Sequence, residues 1–177
     1  MQRDSVTDPQ SNNYKWFVLA ILTVVYAFNF IDRQILVILQ EPIKAELGLS
    51  DTQLGLLTGF SFAVVYVTAG IPIAWLADRS NRRNIVAVSL GIWSVMTALS
   101  GIVQNYTQLL LARLGVGLGE AGGSPPSHSM LSDYFPEEQR GTALSIYTTG
   151  IYLGIFFGYF AGCLLYTSPS PRDKTVS

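Results

Sequence analysis

Four charged residues stand inside runs that otherwise suit lipid. Asp32 and Arg33 interrupt "YAFNFIDRQILVILQ", and Arg113 and Glu120 interrupt "LLLARLGVGLGEAGGSPP". A charge at mid-bilayer costs about 2.5–3.5 kcal/mol even on the lenient insertion scale, so such residues face a cavity, pair with one another and mark a pathway. The chemistry open to them is proton binding: desolvation raises a carboxylate pKa and a nearby arginine lowers it, so a small movement of the arginine loads or releases a proton. At the helical rise, Asp32 lies about 12 Å below the outer surface if its helix ends near Gln40, and Arg113 lies about 10 Å below it if its helix starts near Tyr106. Glu120 shares a face with Arg113 about 10 Å deeper, and Arg33 sits next to the level of Asp32. A static ion pair locking two helices explains Asp32 with Arg113; it leaves Arg33 and Glu120 in need of further partners. The only cysteine, Cys163, and the only histidine, His128, give no metal-ligand spacing and no nucleophile–base arrangement. The residues point to no enzyme, no metal and no cofactor, with a proton as the expected coupling ion.

The elements that must position these charges are membrane helices. The chain has 177 residues, is 49% hydrophobic and only 13% charged, against about 25% charged in an ordinary soluble domain, and its mean hydropathy is +0.34. A formal net charge of -1 argues against a nucleic-acid partner. With about 20 apolar residues needed per span, five segments qualify, at 16–39, 53–77, 84–103, 107–127 and 141–165. The resulting fold is an all-α membrane protein whose partner is the lipid bilayer. Residues 1–15 form a tail and 16–162 the spans. Basic residues collect on the cytoplasmic side of a membrane. Arg3, Lys15, Arg79, Arg82, Arg83 and Arg140 fall on one side and Lys44 on the other, which places the N-terminus inside.

Local signals set several helix ends. Ser50, Asp51 and Thr52 are cap candidates for the second span, and Pro136 with Glu137 and Glu138 suits the first turn of the fifth. Gly150, Gly154, Gly158 and Gly162 recur at every fourth residue, a flat groove that lets another helix backbone approach closely. Gly55, Gly59 and Ala63 are a weaker version. The glycines around Glu120 and the Pro125-Pro126 pair give irregular backbone, tolerated at membrane depth where it lines protein or water.

The segment "GIPIAWLADRSNRRN" resembles the loop between the second and third helices of the major facilitator superfamily, with Asp78, Arg79, Arg82 and Arg83 in place and Ala74 and Asn81 where the pattern has glycine. "NFIDR", "RLGVGLGEAGGSPP" and "YFPEEQRGTALSIY" resemble the spinster-like branch. The resemblance implies two six-helix halves working by alternating access, with five helices here forming most of the N-terminal half. It implies that Asp32, Arg33, Arg113 and Glu120 form a coupling network and that Asp78, Arg79, Arg82 and Arg83 form a conformational latch. It also implies inverted three-plus-three repeats that make the first and fourth helices equivalents. The expected solute is amphipathic or an organic anion, lysolipid-like by resemblance, in a multi-pass protein of a bacterial inner membrane. The alternatives are a small organic-acid or sugar-acid symporter and a non-transporting scaffold. Residues 163–177 resemble translated adapter sequence. By the same resemblance the missing C-terminal half is the partner of the glycine grooves, and without it the charge network opens toward lipid.

Overall fold

The computed structural model describes residues 9–167, with side chains described over 13–164. The helices are α1 (Pro9–Ile38), α2 (Gln40–Leu47), α3 (Asp51–Gly55), α4 (Ser61–Arg79), α5 (Arg82–Ser100), α6 (Tyr106–Ala121), α7 (Ser124–Tyr134) and α8 (Glu137–Thr167), with a π-helical turn at Leu56–Phe60 between α3 and α4. Among the described residues, four helical stretches are long and apolar enough to cross a membrane: Asn13–Ile38, Asp51–Arg79, Arg82–Ser100 and Glu137–Leu164. The molecule is a multi-pass helical membrane bundle.

The fourth expected span, 107–127, is two helices rather than one. α6 ends at Ala121 and α7 starts at Ser124, because Pro125 and Pro126 lack backbone donors and suit the first turn of a new helix. α1 starts at Pro9, earlier than the expected boundary at residue 16. The loop after α1 carries the short helix α2, closed by Gly48 at φ 62°. Most of 163–177 lies outside the described residues, although α8 runs through Thr167.

Caps fix the remaining ends. The Ser50 side chain accepts from the Gln53 backbone N–H while the Gln53 side chain accepts from the Ser50 N–H, a reciprocal capping box. The Asn81 side chain caps α5 by accepting from the Arg83 backbone N–H, and the Asn105 side chain caps α6 by accepting from the Gln108 backbone N–H. Glu137 and Glu138 occupy the first turn of α8.

Packing follows the small residues. α8 lies along α1, and α6 lies against both α4 and α5. A side chain at Gly154 would collide with Ala27 O, and one at Gly150 would meet Thr23 O at 2.7 Å. The groove of α8 is therefore filled by α1 of the same bundle and not by a second half, which corrects the sequence expectation for Gly150, Gly154, Gly158 and Gly162. By contrast, a side chain at Gly55 or Gly59 would meet nothing within 4 Å. One apolar cluster, Leu19, Leu22, Leu131, Phe135, Ala143 and Tyr147, joins α1, α7 and α8. A second, Leu36, Leu57 and Leu109, closes the opposite end. Large apolar side chains such as Ile71, Tyr152 and Phe156 stay exposed, as befits helices whose outer faces meet lipid.

Candidate functional site

α1 and α6 bring the four intramembrane charges into two ion pairs. Arg113 Nη1 donates to Asp32 Oδ2 at 3.2 Å. Arg33 donates to Glu120 Oε2 from Nε at 2.9 Å and from Nη2 at 2.5 Å. The matched depths of Asp32 and Arg113 thus become a contact, and Arg33 and Glu120 find each other. The Glu120 side chain is 1% exposed, and those of Arg113 and Asp32 are 10% and 12%. Glu120 and Arg113 are enclosed by the bundle, while the Arg33 side chain keeps 36% exposure and Asp32 borders an open groove between α1 and α5. The expectation that the network opens toward lipid is therefore corrected only for Glu120 and Arg113.

Local structure explains the burial. α6 presses on α5 at Gly119, where a side chain would meet the Trp93 backbone N at 2.6 Å. Gly117 faces Phe62 and leaves that ring room beside α6. Phe62 stacks on Arg33 at 4.7 Å, with Phe30 at 5.3 Å and Tyr66 at 5.7 Å from the guanidinium. These aromatic faces solvate a cation where water is scarce. The π-helical turn precedes Phe62 and Tyr66 and sets the face on which they arrive; such turns recur at functional sites. Neither the turn nor the aromatic cage is announced by composition or spacing.

Two recesses meet at Glu120. A cavity of about 130 Å³ on the α2 side is lined by Arg33, Leu36, Leu57, Thr58, Arg113 and Glu120. A smaller one, about 30 Å³, lies toward α7 between Tyr26, Trp93, Glu120, Ser124, Ser127 and Tyr147. Glu120 Oε1 and Arg113 Nε are buried and have no hydrogen-bond partner among the described residues. The Glu120 carboxylate is thus held by Arg33 through Oε2, with the Asn29 side chain beside it and a recess on either side. No group of three or more His, Cys, Asp or Glu residues suited to a metal occurs among the described residues.

The latch candidates lie at the end of α4 and the start of α5. Arg82 forms an ion pair with Asp133 at the end of α7, a partner that sequence reasoning missed. Arg79 stacks over Trp75 at 4.0 Å. Asp78 is exposed and has no ion pair among the described residues. Arg83 donates its backbone N–H to the Asn81 cap. His128 is exposed on α7, its ring 5.2 Å from Tyr147.

Residues 22–172 match the Major Facilitator Superfamily. An MFS-type efflux pump of Mycolicibacterium smegmatis is 39% identical over 161 residues, covering 91% of this chain and 38% of the relative. An Escherichia coli protein named "Probable L-galactonate transporter" is 33% identical over 138 residues, covering 77% of this chain and 30% of the relative. The crystal structure of a bacterial homologue of the human lysosomal transporter Spinster, inward-facing and unoccupied, superposes with a TM-score of 0.81 at 44% identity, covering 84% of this chain and 31% of that one. The chain spans about a third of the length of these relatives.

Proposed function

Because the chain belongs to the Major Facilitator Superfamily and is spinster-like within it, we propose that the complete protein is a secondary active transporter coupled to protons. The observation that carries this reading is the buried Glu120 carboxylate, which Arg33 holds through Oε2, with Asn29 beside it and a cavity on either side. Loading a proton on Glu120 would free Arg33, and Asp32 with Arg113 forms the parallel pair one step along the same helices. Alternating access would expose Glu120 to each side in turn, with no enzymatic step. The positive-inside bias of the loops supports a cytoplasmic N-terminus in a bacterial inner membrane.

For the solute, the aromatic cage around Arg33 and the apolar walls of the larger cavity favour an amphipathic or organic anionic molecule, in line with the similarity to a Spinster homologue. A sugar-acid symporter is the second reading, favoured by the galactonate-transporter relative: an arginine fork binds a small carboxylate well. Asp78 is assigned as the central residue of the latch, since it is exposed without an ion pair among the described residues, whereas Arg82 pairs with Asp133 and Arg79 lies over Trp75.

The test uses the complete protein in proteoliposomes. Glu120→Gln and Asp32→Asn are expected to abolish accumulation driven by a pH gradient while leaving measurable solute binding. Normal accumulation by both variants would overturn proton coupling at this site. Asp78→Asn is expected to shift the inward/outward populations severalfold, the size of an effect of about 0.3–1 kcal/mol at a helix end; unchanged label distances across the cytoplasmic gate would refute the latch.

A further inference from the structure

The small cavity between Glu120 and α7 has the size and lining of a water site. Its volume of about 30 Å³ exceeds the roughly 10–15 Å³ that one water requires, and a buried water needs two to four polar partners. Partners are at hand. Glu120 Oε1 and the Trp93 indole N–H are buried without a hydrogen-bond partner among the described residues. The hydroxyls of Tyr26 and Tyr147 both lie next to Ser124, and their rings stack at 4.5 Å. Ser127 donates to Gly123 O at 2.6 Å, and its hydroxyl lies beside that of Tyr147 on the cavity wall.

Direction along the bundle gives the cavity its meaning. α6 reaches Glu120 near its end and the chain continues into α7, so Ser124 and Ser127 lie beyond Glu120 on the side away from Arg113. Four residues of this cavity, Leu22, Val25, Val86 and Leu90, also line a wider groove of about 270 Å³ that reaches Tyr14, Arg83 and Tyr134 at the same end of the bundle. The charged groups around Glu120 are Arg33, Asp32 and Arg113 on the opposite side. The hydroxyls on the cavity side are those of Tyr26 and Tyr147, with Tyr66 nearby.

We propose that this cavity holds ordered water bonded to Glu120 Oε1, and that this water carries the proton between Glu120 and the α7 end of the bundle. The proposal rests on the reading of Glu120 as the coupling carboxylate. In the relay the carboxylic O–H of Glu120 breaks as an O–H forms on the water, which passes a different proton onward through Ser124, Tyr147 or a second water. Each carrier ends as it began, and Glu120 is left as the carboxylate that Arg33 binds.

The test uses the complete protein. Infrared difference spectra taken across a pH step are expected to show a water O–H band that shifts in H2(18)O and is missing from Ser124→Leu, whose side chain fills the cavity. In proteoliposomes Ser124→Leu is expected to lose pH-driven uptake about tenfold more than solute exchange, the scale of one displaced hydrogen-bonding partner. If Ser124→Leu fails to fold, Tyr147→Phe removes one hydroxyl at nearly constant shape and is expected to shift the same band. A wild-type spectrum without the water band overturns the proposal, as does an uptake loss in the cavity variants no larger than the exchange loss. Normal pH-driven uptake by Glu120→Gln would instead overturn the coupling role itself, so the two failures are told apart.

Discussion

Removing one member of the Asp32–Arg113 pair strands the other at membrane depth, and the two strandings are unequal. Asp32 left alone can take up a proton and become neutral, whereas a guanidinium does not deprotonate in proteins. Asp32→Asn is therefore expected to destabilise the complete protein more than Arg113→Leu, by about 3 kcal/mol, the lower end for a broken buried pair, since both side chains keep slight exposure. The double variant should recover much of that loss. Thermal melting in detergent measures the order, and a double variant less stable than either single one would contradict it. This pair was legible in the sequence because helical rise converts residue number into depth. The Arg33–Glu120 pair was not, because rise says nothing of which way a helix is rotated about its axis. Rotation here depends on the π-helical turn and on Gly117 making room for Phe62, and neither has a reliable signature in one sequence. The partner of Arg82 was hidden for a related reason: Asp133 reaches it only because the fourth span breaks at Gly122-Gly123 and restarts as α7.

Helices meet where side chains are small, and the glycine periodicity of α8 announced a close contact correctly while leaving its partner open. Spacing defines a groove; only topology decides which helix enters it. α1 does so, with Ala27 O directly above Gly154. Gly154→Leu is expected to force α1 and α8 apart and to cost about 1–3 kcal/mol or more, as overpacking does, even in the isolated bundle. The second glycine series behaves oppositely. Gly59 faces open space, so Gly59→Ala is expected to be neutral or to stabilise by about 0.5–1 kcal/mol through reduced backbone entropy in the unfolded chain. Melting temperatures of the two variants, measured side by side, decide the matter: equal losses would mean that the grooves are alike after all. Four of the five apolar segments stand as single long helices, as hydropathy indicated, whereas the segment 107–127 divides into α6 and α7 where Pro125 and Pro126 start a new helix.

The bundle as a whole carries an internal symmetry that the pattern of contacts makes visible. The fourth span, α6, packs on the second, α4, as the first, α1, packs on the fifth, α8. This is the pairing expected of inverted three-helix repeats, in which first matches fourth and second matches fifth. The third span, α5, packs on α6, so in a protein of the relatives' length built from such repeats a sixth span is expected against α1. An open groove of about 630 Å³ runs at that place, lined by Val24, Phe28 and Ile35 of α1 and by Leu90, Ser94 and Ala98 of α5. Thr97, whose buried Oγ1 has no hydrogen-bond partner among the described residues, lines it as well. The groove is mostly apolar, at the depth of the ion pairs, and straddles the two helices that the symmetry requires the sixth span to touch. In a protein of the relatives' length, cysteines placed along the segment after residue 167 are expected to crosslink to Ser94→Cys at helical spacing, in a background with Cys163 replaced. A polar residue of that segment should protect Thr97, and bulky substitutions at Ala98 should weaken both the crosslink and the thermal stability. Crosslinks to a cysteine at Phe156, on the exposed face of α8, with none to Ser94 would place the sixth span elsewhere and break the symmetry argument.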